Sequence, residues 1–299
     1  MTTIGQAQPE SVRGVIGDYV ALTKPRVMSL LLVTALTGLV LASRGVPGAA
    51  LTLTVLIGGA LASGGAGALN HWYEEDLDRR MGRTKRRPVA TGRISSRNAL
   101  LFGLALNALS FTVLAVGANL LAASLAMAGT AVYFFVYTMW LKRTTPQNIV
   151  IGGAAGAIPP LVGWAAATGS LALPAWYLFA IIFFWTPPHF WALAIVIRDD
   201  YARAGVPMLP VVEGEARTRV QIVLYSVLLA GVAVLFVAAD DALGLIYGVG
   251  AGVLSAGLVY YAVRLWRDGT KARAWALYRF SLIYLALLFV LVMVDGSIG

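Results

Sequence analysis

The chain has 299 residues, of which 59% are hydrophobic and 12% charged, and its mean hydropathy is +0.78. A soluble globular domain carries about 25% charged residues, so this composition excludes that class. The sequence contains no cysteine, which excludes disulfide bonds and thiolate metal sites. The 23 basic and 14 acidic residues leave a formal net charge of +9, whose distribution along the chain needs an explanation.

Long apolar runs recur along the chain, each close to the ~20 residues that cross a hydrocarbon core as a helix. A backbone inside a bilayer must satisfy its own hydrogen bonds, so such runs must be helical. We therefore predict an all-α, polytopic membrane protein: a mobile cytoplasmic tail (1–15), then one domain (16–299) with nine helices in a bundle around a central cavity. The predicted spans are 27–43, 49–69, 99–117, 120–141, 149–168, 174–197, 220–239, 242–263 and 274–294.

The basic residues sort by side of the membrane. With nine spans, every lysine and arginine except Arg44 falls on the same side as the N-terminus. The positive-inside rule then predicts a cytoplasmic N-terminus and an outside C-terminus, in the plasma membrane. The positive charge is explained by topology and does not indicate a nucleic-acid partner. The connections over 70–98 and 198–219 are the long ones, so we expect function on the cytoplasmic side.

The first of these connections opens with the stretch "LNHWYEEDLDRRMGRTKRRP", residues 69–88. Asn70, Glu74 and Asp78 are four residues apart, which places them on one helical face, whereas Asp76 need not share that face. Two carboxylates on one face repel each other unless a cation lies between them, and oxygen ligands of this kind suit Mg²⁺ together with substrate phosphates. The alternative is a charged cap in which the acids pair with nearby arginines.

Basic side chains accompany this acidic motif. Arg83 and Arg87 follow it, and Lys142 and Arg143 end the fourth span, shortly after Tyr137. Guanidinium groups suit phosphate oxygens, so all four bases are candidates for binding phosphate. Basic residues that only set the membrane topology, or that anchor helices at the membrane edge by snorkelling, would give the same pattern.

The sixth span carries a second motif, "FFWTPPHFWALAIVIRDDYARAGVPMLP", residues 183–210. Pro187 and Pro188 should kink the helix, which is tolerated where the backbone lines a cavity. His189 lies within the span, and an ionisable residue there is a functional candidate. The helix then ends in one base and two acids, Arg198, Asp199 and Asp200.

Two acidic sets with bases beside them, at the mouth of an apolar bundle, indicate a substrate with a metal-bridged diphosphate head and an apolar tail. The chain resembles the UbiA superfamily of intramembrane prenyltransferases over nearly its whole length. The resemblance lies in "DYVALTKPRVMSLLL", "NHWYEEDLDRRMGRTKRRP", "LKRTTPQNIVIGGAAGAIPPLVGW" and "TPPHFWALAIVIRDDYARAGVPMLPVV". The stretches "TPQNIVIGG", "PPHFW" and "DYARAGVPMLP" are similar to the heme-modifying branch. The middle acid of the first motif is usually aspartate there and is Glu74 here.

The resemblance implies Mg²⁺-dependent transfer of the farnesyl group of farnesyl diphosphate to a vinyl group of heme B, with addition of water. The product would be heme O for terminal oxidases, and contact with heme A synthase or oxidase assembly proteins would follow. The catalytic set would be Asn70, Glu74, Asp78 and Asp200, and the metal ligands Glu74, Asp78, Asp199 and Asp200. The substrate-binding set would be Arg83, Arg87, Lys142, Arg143, Arg198, Tyr137, His189 and Trp191.

Individual roles within that set differ. Tyr137 and Trp191 are candidates for stabilising an allylic cation through their rings, although membrane-interface aromatics give the same pattern. His189 would contact heme, and a neutral imidazole is also an axial ligand of heme iron. Two other functions stay open: prenyl transfer to a different acceptor, such as a quinone ring precursor or chlorophyllide, and transport of an anionic substrate.

Overall fold

The computed structural model describes residues 12–298, most of which are helical, with no strand among them. Residues 1–11 of the expected tail lie outside the described residues, and helix α1 already begins at Val12. The helices are α1 (Val12–Leu22), α2 (Pro25–Ser43), α3 (Ala49–Tyr73), α4 (Glu75–Arg80), α5 (Ser96–Gly117), α6 (Leu120–Thr144), α7 (Asn148–Thr168), α8 (Leu173–Val196), α9 (Arg198–Ala204), α10 (Leu209–Val212), α11 (Gly214–Ala239), α12 (Leu245–Asp268) and α13 (Lys271–Ile298).

Nine of the helices described over residues 12–298 are long and apolar enough to cross a membrane, which confirms the predicted class and number of spans. They are α2, α3, α5, α6, α7, α8, α11, α12 and α13. The short helices α4, α9 and α10 lie in the two long connections that the sequence singled out. The protein is therefore a multi-pass membrane protein whose elaborated surface lies at one end of the bundle.

Several predicted boundaries differ from the observed helix ends, and the start of the eighth span differs because it fell inside a turn. The eighth span was expected to start at residue 242 and starts at Leu245. Asp240 accepts a hydrogen bond from the amide of Ala242 at 3.0 Å, which closes a turn there. Asp295 then accepts from the amides of Gly244 and Tyr247 at 2.9 and 2.8 Å, so a side chain from another span fixes the true helix start. No local pattern reports such a distant cap.

The spans form a closed ring. Each span packs against the next one along the chain, and α13 returns to pack against α2. Further contacts brace the ring across its interior, and the most extensive are α2 with α7 and α8 with α13. The α7 and α8 spans are the most enclosed, with 61% and 67% of their apolar windows buried, against at most 39% for any other span. The motif of the sixth predicted span, on α8, is therefore central.

The contact between α2 and α7 is made by backbone. A Cβ atom on Gly163 would lie 1.8 Å from the carbonyl oxygen of Ala35, and one on Gly38 would lie 2.1 Å from that of Pro160. Small residues let membrane helices approach closely, and dispersion contacts then replace the hydrophobic effect that is missing between helices in lipid. These two glycines thus set how near α2 comes to the centre of the bundle.

We predict that Gly163→Ala destabilises the protein, because the new methyl group has no room beside a backbone carbonyl. Overpacking of this kind costs about 1–3 kcal/mol. Gly156→Ala in the same helix is the matched control, since no atom lies within 4 Å of its Cβ position. The measurement is the melting temperature of the two variants in detergent, and equal melting temperatures would contradict the close approach.

Candidate active site

Asn70, Glu74 and Asp78 share one buried face, as their spacing predicts. Helix α3 ends at Tyr73 and α4 begins at Glu75, yet the hydrogen bonds continue across the break. The amide of Glu74 donates to the Asn70 carbonyl at 2.9 Å, and the amide of Asp78 donates to the Glu74 carbonyl at 2.8 Å. The three side chains are only 1–2% exposed. Two carboxylates are thus held out of water at the end of a membrane span.

Each of these side chains is bonded to one base. The three pairs are Lys24 with Asn70, Lys142 with Glu74, and Arg87 with Asp78. The Lys24 ammonium donates to the amide oxygen at 2.5 Å, and one guanidinium nitrogen of Arg87 lies 2.9 Å from both oxygens of its acid. Buried charge is costly unless it is paired and hydrogen-bonded, so the pairing is what allows this burial. We call these six side chains the polar cluster.

A π-helix in α6 supplies one side of the polar cluster. Residues Val132–Leu141 make i→i+5 turns, so positions four and five apart share a face. Tyr133 accepts a hydrogen bond from Lys24 at 3.4 Å, Thr138 accepts one from the Asn70 amide at 3.2 Å, and Lys142 reaches Glu74. In an ordinary α-helix Tyr133 and Lys142 would lie about half a turn apart. The wide turns align three side chains with α3.

Lys24 enters the polar cluster through a strained backbone. Its φ of 53° and ψ of 59° are left-handed, and Pro25 follows directly. Such a conformation costs about 1–3 kcal/mol in a residue other than glycine and persists where surrounding structure fixes it. Sequence reasoning counted Lys24 only as a topology charge and so missed it. The available signal was its place immediately before the proline that starts a span.

The charges of the polar cluster influence one another. Burial raises the pKa of Glu74, but the charge and hydrogen bond of Lys142 outweigh it and hold that pKa below its usual range. Burial raises the pKa of Asp78 above its usual range, although Arg87 opposes it. Burial, reinforced by the charge of Arg87, lowers the pKa of Lys24 to about 7. With three bases and two acids, the polar cluster attracts anions.

Asp200 in α9 pairs with Arg203 and lies against the connection that follows α4, whereas Asp199 lies on the surface. A Cβ atom on Gly82 would lie 3.3 and 3.4 Å from the two Asp200 carboxylate oxygens, so the two long connections meet there. Asp199 is 69% exposed and lies 3.7 Å from Lys271 on the surface. Among the described residues no group of three or more His, Asp or Glu side chains is arranged to hold a metal ion by itself.

The three predicted phosphate ligands outside the polar cluster have different surroundings. Arg143 pairs with the half-exposed Asp76 at 2.7 Å and lies over the Tyr73 ring, on the outside of the helix. Arg198 donates to the carbonyl of Pro210 at 2.9 Å and so fixes the following loop. Arg83 is exposed and makes no hydrogen bond or ion pair with another residue of the described range 12–298. Of these three arginines, only Arg83 has a guanidinium that no other described residue engages.

The two aromatic candidates also differ. Tyr137 stacks on Tyr133 with ring centroids 5.7 Å apart, and the Lys142 ammonium lies 5.9 Å from its ring centre. Trp191 is 1% exposed and packs edge-on against Tyr225 at 5.4 Å, in the hydrophobic core. The structure therefore brings Tyr137 to the polar cluster and leaves Trp191 in the core.

His189 is bonded through its Nδ1, which lies 2.8 Å from the hydroxyl of Ser281. The same hydroxyl lies 2.7 Å from the carbonyl of Tyr278. When the hydroxyl donates to that carbonyl, Nδ1 carries the imidazole proton and Nε2, which has no partner among the described residues, keeps its lone pair. The ring stacks between Trp185 at 4.2 Å and Tyr278 at 4.6 Å.

His71 is a further residue that sequence reasoning missed. It follows Asn70, is 2% exposed, and neither ring nitrogen has a hydrogen-bond partner among the described residues. Its position in α3, adjacent to the motif, was the available signal. A buried imidazole without partners beside a charged cluster is unusual, since buried polar groups are normally hydrogen-bonded.

Comparison with known proteins identifies the family. The model of the UbiA prenyltransferase family matches residues 31–288, which is most of the chain. The chain belongs to the UbiA prenyltransferase family. Among solved structures, a digeranylgeranylglyceryl phosphate synthase superposes with a TM-score of 0.79 over 95% of this chain and 99% of that one, at 17% identity. A UbiA homologue from Archaeoglobus fulgidus, bound to GPP and Mg²⁺, gives 0.66 over 92% and 99%, at 18% identity. These likenesses show the UbiA fold.

Curated relatives are much more similar in sequence. A protoheme IX farnesyltransferase of Chloroflexus aurantiacus is 54% identical over 99% of this chain and 50% of its own length. One from Azorhizobium caulinodans is 51% identical over 94% of this chain and 92% of its own length. The chain thus spans about half the length of the first relatives it matches and nearly the whole length of others.

The neighbours Lys142 and Arg143 allow a matched test of the polar cluster. Lys142→Met should cost about 3–5 kcal/mol, because it leaves the carboxylate of Glu74 buried and unpaired. Arg143→Met should cost no more than about 1 kcal/mol, because its ion pair is half exposed. Thermal unfolding in detergent measures both, and a larger loss for Arg143→Met would refute the assignment.

Proposed function

We propose that the protein transfers the farnesyl group of farnesyl diphosphate to a vinyl group of heme B, with addition of water, and so makes heme O. The observation that carries this is the polar cluster, a buried set of oxygen donors and bases at the end of a nine-span UbiA bundle. The names of relatives at 50–54% identity support the choice of heme and farnesyl groups.

The donor set fits Mg²⁺ accompanied by a diphosphate. Asn70, Glu74 and Asp78 offer only oxygen, and Mg²⁺ commonly binds through one or two carboxylates while phosphates complete its shell. Glu74 and Asp78 are the proposed protein ligands, with Asn70 beside them, and Asp200, which lies against Gly82 in the connection after α4, would be a further one. Asp199 was predicted as a fourth acid, and its exposed position supports it less. Bound Mg²⁺ would neutralise charge on the leaving diphosphate; a UbiA homologue has been solved with GPP and Mg²⁺.

The bases of the site would hold the phosphate oxygens. Lys142 and Arg87 already face the acids, Lys24 faces the amide, and Arg83 has an uncommitted guanidinium. Donors fixed in place before the reaction stabilise developing negative charge without reorganisation. Arg143 and Arg198 stay predictions of weaker support, because each is engaged in a contact that braces the scaffold.

The transfer itself needs a dry site. The bond between farnesyl C1 and the diphosphate oxygen breaks, and its electron pair leaves with the diphosphate. C1 then bonds to one vinyl carbon, water places its hydroxyl on the other, and the water's remaining proton is released. Early entry of water at C1 would give farnesol instead, so the apolar bundle must exclude it. Tyr137 and Tyr133, whose rings stack on each other beside Lys142, would face the allylic cation.

Heme is assigned to the side of the site near His189. In the tautomer with its proton on Nδ1, Nε2 has a free lone pair, which suits coordination of heme iron, and the hydrogen bond at Nδ1 orients the ring. Trp185 and Tyr278 cover both faces of the imidazole and hold it rigidly. Trp191, predicted beside His189, lies in the core and would act through packing.

The cellular setting is part of the proposal. We place the protein in the plasma membrane with the polar cluster on the cytoplasmic side, because Arg44 alone among the bases lies at the other end of the bundle. A reporter fused within the 81–95 connection would be inaccessible from outside the cell, and an accessible one would reverse the orientation. Contact with heme A synthase or oxidase assembly proteins stays a prediction from the resemblance.

Product analysis tests the function. Purified protein with heme B, farnesyl diphosphate and Mg²⁺ should yield heme O by mass spectrometry, and chelation of Mg²⁺ should stop the reaction. Glu74→Ala or Asp78→Ala should lower turnover at least 1000-fold while heme binding is kept, since these acids serve the diphosphate half. Asp76→Ala is the matched control, because Asp76 belongs to the same stretch but pairs outside the polar cluster.

Other results would favour other functions. Farnesylation of a quinone ring precursor or chlorophyllide, with heme B unreacted, would move the protein to another acceptor. Uptake of an anionic substrate without diphosphate release would support a carrier. Full turnover of Glu74→Ala and Asp78→Ala would show that these acids form a charged cap and do not bind the metal.

His189 gives a separate prediction for the heme half. His189→Ala should shift the absorption spectrum of bound heme B and weaken heme binding about tenfold or more, with the affinity for farnesyl diphosphate unchanged, because the iron loses its ligand. Ser281→Ala should give a smaller spectral shift, since it frees the tautomer but keeps the ring. A native spectrum and native heme affinity in His189→Ala would leave His189 a packing residue between α8 and α13.

A further inference from the structure

Each of the three oxygen-bearing side chains of the polar cluster is engaged by a base of the chain itself. Lys24 donates to the amide oxygen of Asn70, Lys142 to one oxygen of Glu74, and Arg87 to both oxygens of Asp78. The bases are themselves mostly enclosed: the side chains of Lys142 and Arg87 are 14% and 23% exposed. A divalent cation that approaches these side chains meets an ammonium or guanidinium at each of them.

Backbone conformation fixes the positions of Lys24 and Lys142, so these bases are not flexible side chains on the surface. Lys24 is one of two non-glycine residues with positive φ in the described range 12–298, and its strain is maintained where its side chain meets Asn70. Lys142 ends the π-helix whose wide turns align it with Glu74. Two unusual backbone features thus serve the same purpose: they bring a positive charge against an oxygen donor.

The charge balance disfavours a metal ion that arrives alone. Lys142 and Arg87 balance the charges of the two acids, and Lys24 adds positive charge when it is protonated. A divalent cation would add two more charges within a few ångströms. A diphosphate changes this balance, because its oxygens can take over the hydrogen bonds of the displaced bases while the acids turn to the metal. The exchange conserves the number of charge-assisted contacts.

We infer that Lys24, Arg87 and Lys142 act as resident counter-ions that exclude a free divalent cation and yield only to one that is bound to a diphosphate. Metal and prenyl diphosphate then enter together, and the acids are not exposed to metal until the leaving group is in place. Lys24 becomes a positioning residue of the site, through Asn70. The inference rests on the proposed function only for the choice of a diphosphate as ligand.

Mn²⁺ binding tests this without the reaction. The full-length protein in detergent is titrated with Mn²⁺ by equilibrium dialysis, with and without inorganic pyrophosphate. Wild-type protein should bind Mn²⁺ at least tenfold more tightly when pyrophosphate is present. Lys142→Met should bind Mn²⁺ alone at least tenfold more tightly than wild type does, because its Glu74 carboxylate is no longer covered. Lys142→Arg, which keeps the charge, should behave as wild type.

Thermal unfolding gives a second readout. Mn²⁺ alone should raise the melting temperature of Lys142→Met and leave that of wild type unchanged, since a ligand stabilises only the state that binds it. Should Lys142→Met fail to fold, Lys24→Met serves instead, because it uncovers a neutral amide and leaves no unpaired charge; it should also bind Mn²⁺ alone more tightly. Arg217→Met, which removes a surface pair with Glu213, is the matched control and should change neither measurement.

Two results would overturn the inference. One is wild-type protein that binds Mn²⁺ equally with and without pyrophosphate. The other is Lys142→Met, or Lys24→Met in its place, with an affinity for Mn²⁺ alone within twofold of wild type. Failure of the proposed function looks different: heme O would not form although Mn²⁺ binding still required pyrophosphate. Conversely, heme O formation with equal Mn²⁺ binding would keep the function and reject the counter-ions.

Discussion

The pairing of buried charge at one end of the bundle is the interaction on which the site depends. Glu74 and Asp78 are almost completely removed from water, and an unpaired buried ion costs several kcal/mol even after relaxation. That cost explains two backbone features that local sequence preference would not select, the left-handed Lys24 and the π-helix of α6. The strain is offset because each feature delivers a positive charge to an oxygen.

The position that Lys24 needs is fixed by helix α2. Its two ends are basic residues in the left-handed conformation, Lys24 bonded to Asn70 and Arg44 bonded to the buried Asp240 at 2.5 Å. Between them, Gly38 lets α2 lie against the backbone of α7. The first span is therefore fixed at both ends and in the middle, and Lys24 can be strained without moving because the helix behind it cannot shift.

The sequence predicted what depends on local properties and missed what depends on partners. Hydrophobic length is local, so the nine spans were found, and the four-residue spacing of Asn70, Glu74 and Asp78 survived a break in the helix. The sequence does not distinguish the roles of adjacent residues. Lys142 enters the polar cluster, whereas Arg143 pairs with Asp76 outside it. Asp200 faces Gly82, whereas Asp199 is on the surface. Each choice is set by the orientation of a short segment against other elements, which no spacing encodes.

The two ends of the bundle show how buried charge serves architecture or function. At one end, Asp295 accepts from two backbone amides. One oxygen of Asp240 accepts from an amide and from Arg44, while its other oxygen is buried without a partner among the described residues. Backbone donors cannot be released without unfolding the helix start, so those acids are permanent caps. At the other end the acids are satisfied by side chains, which can rotate towards a new anion at little cost in structure. Buried acids whose partners are side chains alone can exchange them for a ligand; among the described residues Glu74 and Asp78 meet that criterion, whereas Asp240 and Asp295 are also held by backbone amides.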